Sequence, residues 1–231
     1  MVKEELVARS PVRIFEQSIG GGLKPGEIGL VAAPSGIGKT SVLVQIALDK
    51  LLQNKNVIHV SFTQHADYVL AWYENIFNEI TKKNLENDLD IKNEIIKNRV
   101  LMNFNQEKLS TNQILRSLRA LIVEGAFSAE ELIIDGFDFS RMNRKDLLSV
   151  KQFAEELKLA VWYSCTVQES GYDSQNIPLI INEYQNDIAV VIILTPQDNY
   201  IELFVSKNRN NYEVKVPALH LNSRTLLIQK D

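Results

Sequence analysis

The sequence predicts an α/β protein, with a mostly parallel central sheet flanked by helices and a small C-terminal antiparallel extension. Three observations predict it. Short apolar runs alternate with segments of helical periodicity between Ile28 and Leu194. A Gly/Pro/Ser loop joins the first apolar run to the first helical segment. After Tyr200 the helical segments give way to short strands separated by polar, Asn-rich turns. Strand–helix alternation places helices over both faces of a parallel sheet. Short strands with polar turns read as antiparallel.

The elements follow in order. Ile28 to Ala32 is an apolar strand, and Thr40 to Leu52 has Val44, Ala47, Leu48, Leu51 and Leu52 at helical spacing. Val57 to Phe62 reads as a buried strand. Asp67 to Ile80 reads as a helix, with Leu70, Tyr73, Ile76, Phe77 and Ile80 on one side and Asp67 as its cap. Arg99 to Phe104 is a short strand. Ser110, with Gln113 at the capping-box position, opens a helix to about Glu124, where Gly125 stops it. Glu131 to Asp135 is a strand, Lys145 to Leu157 a helix, and Leu159 to Cys165 and Ile188 to Leu194 are strands. Tyr200 to Ser206, Tyr212 to Val216 and Thr225 to Gln229 form the antiparallel extension. No linker or repeat divides residues 1–231, which read as one domain. Within it, residues 81–99 read as an exposed, charged helical insertion with five basic and four acidic side chains.

Composition narrows the function classes. The chain has 231 residues, is 45% hydrophobic and carries a formal net charge of −4. That is an ordinary globular composition, and not the strongly basic one of a nucleic-acid coat. Cys165 is the single cysteine, so an intramolecular disulfide or cysteine-rich zinc cluster is excluded. No apolar stretch approaches membrane length and no secretory block opens the chain, so a soluble, cytoplasmic protein without a membrane partner is expected.

The chemistry concentrates in Ala33-Pro34-Ser35-Gly36-Ile37-Gly38-Lys39-Thr40, a P-loop pattern with Ala in place of the first Gly. Wrapping a phosphate with backbone N–H groups requires unusual dihedrals, which Gly36 and Gly38 permit. The helix that starts near Lys39 adds its positive N-terminal end. Lys39 is expected to reach the β- and γ-phosphates of ATP, Thr40 to hold Mg²⁺, and Ser41 to hydrogen-bond the α-phosphate. Asp135, at the end of an apolar strand, is the expected second metal residue. Asp138, three residues on, is a possible second carboxylate or a loop residue.

Phe15 to Glu27, with its Gly20-Gly21-Gly22 bend and Leu23-Lys24-Pro25-Gly26-Glu27 stretch, leads directly into the first strand. Together with the P-loop and the strand ending in Asp135, it resembles the RecA-like P-loop NTPases, closest to the KaiC- and DnaB-like branch. The resemblance implies ATP and Mg²⁺ as ligands, and a hexamer or filament where Lys207 and Arg209 complete the site between subunits. It also implies that Lys207 and Arg209, in Ser206-Lys207-Asn208-Arg209, act on the γ-phosphate of a neighbouring subunit; two exposed charges on a hairpin turn are the alternative. A polar sensor is implied after the strand ending at Cys165, and Gln168 is the candidate. The family's catalytic glutamate follows the second core strand, where this chain has Thr63-Gln64-His65. Gln64 orients a water without removing its proton, and His65 reads as a loop residue. Slow hydrolysis or none is therefore expected.

Recombinases and helicases of this kind hold nucleic acid on loops that here correspond to Glu169 to Asp187, a stretch with four acidic residues and no Lys or Arg. That disfavours nucleic acid. The one basic cluster, Arg141 to Lys145, is a candidate channel face or a charged helix start. Tyr68, Trp72, Tyr184 and the hairpin near Tyr212 are aromatic surfaces of the type adenine uses, with none assigned. The expectation is a weak or regulated ATPase. Its alternatives are a catalytically degenerate ATP-binding regulator, a DNA recombination or repair accessory ATPase, and, last, a small-molecule kinase.

Overall fold

A computed structural model of the chain describes residues 2–63, 65–81, 88–168 and 170–230. Two helices precede the sheet, α1 (Val2–Arg9) and α2 (Pro11–Ser18). Then come β1 (Ile28–Ala33), α3 (Lys39–Leu52), β2 (Asn56–Ser61), α4 (Ala66–Thr81), α5 (Asp88–Lys97) and β3 (Arg99–Asn103). The middle of the chain holds α6 (Thr111–Arg119), β4 (Ala129–Asp135), α7 (Arg144–Leu157), β5 (Ala160–Thr166) and β6 (Val190–Pro196). The last strands are β7 (Tyr200–Asn208), β8 (Asn211–Asn222) and β9 (Ile228–Lys230).

Among the described residues one nine-stranded sheet runs β3-β2-β4-β5-β1-β6-β7-β8-β9. The pairings from β3 across to β6 are parallel, and β6-β7-β8-β9 are antiparallel. The expected α/β class with an antiparallel extension is therefore present. Strand β1 lies inside the sheet, between β5 and β6, so its C-terminal end opens at the middle of one sheet edge. Successive residues of β1 face opposite ways: Val31 and Ala33 join the core under α3, and Leu30 and Ala32 join the core under α7. That two-sided burial is why the strands read as continuous apolar runs. Among the described residues no helix is long and apolar enough to cross a membrane.

The helix opened by Ser110 carries its capping box, since the Gln113 N–H donates to Ser110 Oγ and the Ser110 N–H to Gln113 Oε1. It does not continue as α-helix to Glu124; Ala120–Glu124 widens into a π-helical turn that Gly125 closes on the Ala120 carbonyl at 2.8 Å. Asp67 sits inside the first turn of α4 and does not cap it. Residues 82–87 of the expected insertion lie outside the described residues. Its remainder is α5 and the start of β3, and α5 is not a fully solvated helix, because Ile91 and Ile95 are buried in the α3-side core.

The end of the sheet remote from the C-terminal ends of the parallel strands holds a buried charge network that periodicity does not reveal. Arg13 of α2 reaches Glu16 and Asp49, and Lys50 pairs with Glu16 at 2.7 Å. Glu131 on β4 is buried beside Lys50 and Glu16, and its Oε1 has no hydrogen-bond partner. Burial pushes its pKa up to about 8, against the pull of Lys50 and with a further push from Glu16. The folded chain thus holds this proton more tightly than the unfolded one. Stability is greatest below the unfolded value near 4.5 and falls as pH rises toward 8. Glu131→Gln is expected to melt above the wild type at about pH 8.5, by roughly 1–2 kcal/mol, with the gap closing toward pH 5. Urea melts at the two pH values check this.

Candidate functional site

The loop between β1 and α3 curls over the end of the sheet. Gly36 and Gly38 take φ values of +81° and +98°, in the left-handed region that side-chain-bearing residues avoid. Gly38 is the residue from which α3 springs. Ser35 faces the open space above the loop, and Ile37 packs back onto the α3-side core. Between them the two glycines turn the loop so that the N-terminus of the 14-residue helix α3 faces solvent at the cleft.

Lys39 lies folded along the loop. Its Nζ donates to the carbonyls of Ala33 at 3.0 Å and Pro34 at 2.7 Å. Burial lowers its pKa, while Asp135 pulls the other way. Thr40 Oγ1 donates to Asp135 Oδ2 at 2.8 Å, across 95 residues of sequence. Strand β4 thus delivers its terminal carboxylate to the first turn of α3. A hydroxyl and a carboxylate in contact are hard oxygen donors of the type Mg²⁺ takes, so the pair fits the expected metal.

These groups line a cleft of about 450 Å³. Thr63, Trp72 and Asp138 form its far wall, and Ser164, Thr166 and Leu226 complete its floor and near rim.

No family model and no curated protein matches the chain.

The chemistry of the cleft therefore rests on its own residues, and it redistributes several expected roles. Gln64 lies outside the described residues; Thr63 beside it lines the cleft, and His65 is exposed. Gln168 is exposed and does not line the cleft. The polar residues that do are Ser164 and Thr166, on the same strand face four and two positions earlier. Ser164 Oγ accepts the Gly136 N–H at 2.8 Å, which fixes the turn after Asp135. The signal was in the register: Ala33, the last residue of β1, pairs with Thr166, the last of β5. Ser41 is not free for an α-phosphate. Its hydroxyl donates to the Leu226 carbonyl at 2.7 Å and is fully buried. Gln45 holds the same turn, donating to the Leu226 carbonyl and accepting the Ile228 N–H at 2.8 Å.

Lys207 and Arg209 are not exposed hairpin charges; both are engaged within the chain. Lys207 is buried, and its Nζ donates to the carbonyls of Gln185 and Ile188. Arg209 grips Glu27 with Nε and Nη2, both at 2.8 Å, and its Nη1 and Nη2 donate to the carbonyls of Ile19 and Gly22. Their physical role is to bind β7 and the following turn to the lead-in of β1. The basic cluster is also engaged, since Arg144 pairs with Asp187 at 3.6 Å and Arg141 with Asp138 at 3.5 Å. Through Arg144 and Asp187 the two runs of opposite sign in sequence meet in space. Of the aromatic candidates only Trp72 lines the cleft; Tyr184 is buried, with its hydroxyl on the Ile180 carbonyl.

Proposed function

We propose that the chain binds Mg²⁺-ATP at the Ala33–Thr40 loop and acts as a RecA-like P-loop ATPase with weak or regulated hydrolysis. The observation that carries this reading is the Thr40–Asp135 hydrogen bond, which joins the two expected metal residues at the mouth of a glycine-built anion cradle. In this reading the Lys39 ammonium leaves the Ala33 and Pro34 carbonyls for the phosphates. The loop N–H groups and the α3 N-terminus hold the phosphate oxygens, and Trp72 borders the bound nucleotide. Mg²⁺, when bound by Thr40 and Asp135, supplies positive charge against the phosphates.

A second reading, a nucleotide-gated regulator that does not turn over, is favoured by one feature. Residue 63, directly after the turn that follows β2, is a threonine and not a carboxylate. The expected ring or filament rested on Lys207 and Arg209, and their in-chain partners remove that support. The sequence of 169–187, with four acidic residues and no Lys or Arg, argues against nucleic acid as the ligand.

Titration calorimetry with Mg²⁺-ATP at micromolar subunit concentration tests the reading. A Kd in the micromolar range is expected. No heat up to millimolar ATP would overturn it.

A further inference from the structure

We propose that Asp138 is the catalytic carboxylate of this site, orienting a hydroxylic nucleophile for attack on the γ-phosphate of bound ATP. The nucleophile is water or a neutral alcohol. The inference rests on the ATP-binding reading above. Asp138 lines the same cleft as Lys39, Thr40 and Asp135. Among the described residues it is the only carboxylate in that cleft besides Asp135, which is engaged with Thr40.

The residue is held by its backbone and by Oδ1. Gln106, from the loop after β3, clasps its backbone: Nε2 donates to the Asp138 carbonyl at 3.1 Å, and Oε1 accepts the Asp138 N–H at 2.8 Å. Oδ1 accepts from the Ser140 N–H and hydroxyl, at 3.0 and 2.7 Å. Oδ2 accepts no hydrogen bond among the described residues and is ion-paired with Arg141 Nε at 3.5 Å. The Ser140 hydroxyl, and then Arg141, hold the carboxyl below the usual carboxylate range, so it is ionised at neutral pH. An anchored anion whose second oxygen meets only the longer Arg141 contact still has room to accept from an O–H group.

Asp138 also borders a second, polar cleft of about 390 Å³, which shares Thr63 and Gly136 with the first. Gly136 and Thr63 pack tightly where the two clefts meet. A Cβ on Gly136 would lie 2.3 Å from Thr63 Oγ1. Asn103, Asn105 and Gln106 supply amides or backbone to the second cleft, and Arg141 is matched there by Glu107. That lining suits a neutral polar molecule and has no excess cation for an anionic one. In the step, the nucleophile's oxygen bonds to the γ-phosphorus and the bond from that phosphorus to the β,γ-bridging oxygen breaks. ADP leaves, and the nucleophile's proton passes to Asp138 Oδ2 and on to solvent. Water yields inorganic phosphate, and an alcohol yields its phosphate monoester.

Asp138→Asn tests this directly. Asparagine keeps the oxygen that caps the Phe139–Arg141 turn and removes the charge. Wild type and variant are compared by calorimetric Kd for Mg²⁺-ATP and by single-turnover loss of the γ-phosphate, with and without glycerol as the alcohol probe. The expected result is a Kd within about threefold, an unchanged melt, and turnover lower by about 100-fold or more. Phosphate as the product identifies water, and glycerol phosphate identifies an alcohol. The proposal is overturned if the variant turns over within about threefold of the wild type. It is equally overturned if the wild type binds Mg²⁺-ATP and loses no γ-phosphate with or without glycerol. A wild type that binds no Mg²⁺-ATP overturns the ATP reading itself.

Discussion

Lys39→Ala is expected to weaken Mg²⁺-ATP binding at least about 100-fold, close to 3 kcal/mol, while leaving the fold intact. The size follows from position. Lys39 is the one cation lining the phosphate cleft among the described residues, and it is buried where water screens poorly. Removing it leaves the loop N–H groups and the α3 dipole to face several phosphate charges alone. The fold tolerates the change because its partners keep others. The Ala33 carbonyl also accepts the Val167 N–H at 3.0 Å, and the Pro34 carbonyl is within reach of water. A stability loss under about 1 kcal/mol is the expected cost. Calorimetry paired with a urea melt reads both halves. An affinity within about threefold of the wild type would reject the assignment of the site.

Arg209→Ala is expected to destabilise the protein by roughly 2–3 kcal/mol, about 5–10 °C in Tm for a chain of this size. Its guanidinium satisfies both Glu27 oxygens and two backbone carbonyls of the lead-in to β1. With the side chain gone, Glu27 keeps the Lys24 N–H but loses its cation in a site where only 22% of its side chain is exposed. Arg209→Lys should recover little, because one ammonium cannot reproduce the planar fork. The measurement also separates two roles. A residue that served only a neighbouring subunit's phosphate would change turnover in the assembled state and leave the melt of dilute protein untouched.

These two residues mark where the sequence is legible and where it is not. Lys39, Thr40 and Asp135 are readable because their roles follow from local grammar: a strand, a glycine turn, a helix start, and a second strand ending in an acid. The cleft's other polar residues need register. Thr166 becomes visible only once β5 is known to pair with β1, and counting past the end of an apolar run leads instead to Gln168. Arg209 looks like a free charge because its turn is polar and Asn-rich. Its partner Glu27 is 182 residues away, and no periodicity links them. Short helices α1 and α2 lack the length for a helical period to stand out. The π-helical turn after α6, Ala120–Glu124, carries no Gly or Pro that would set it apart from a continuing α-helix. Ser41 was legible as a P-loop position but not as a residue already engaged by Leu226.

That last contact bears on how the protein matures during synthesis. Ser41 and Gln45 sit in the first turns of the phosphate-binding helix, yet their buried polar atoms are satisfied by backbone 185 and 183 residues later in the chain. A nascent chain that has not yet exposed the stretch around Leu226 holds an open cradle, with two side chains lacking their partners. Parallel pairing of β1 with β5 and β6 imposes the same wait, since long-range contacts form late. Nucleotide affinity on the ribosome is therefore acquired only once the stretch around Leu226 has emerged, and stalled chains truncated before it should not show it.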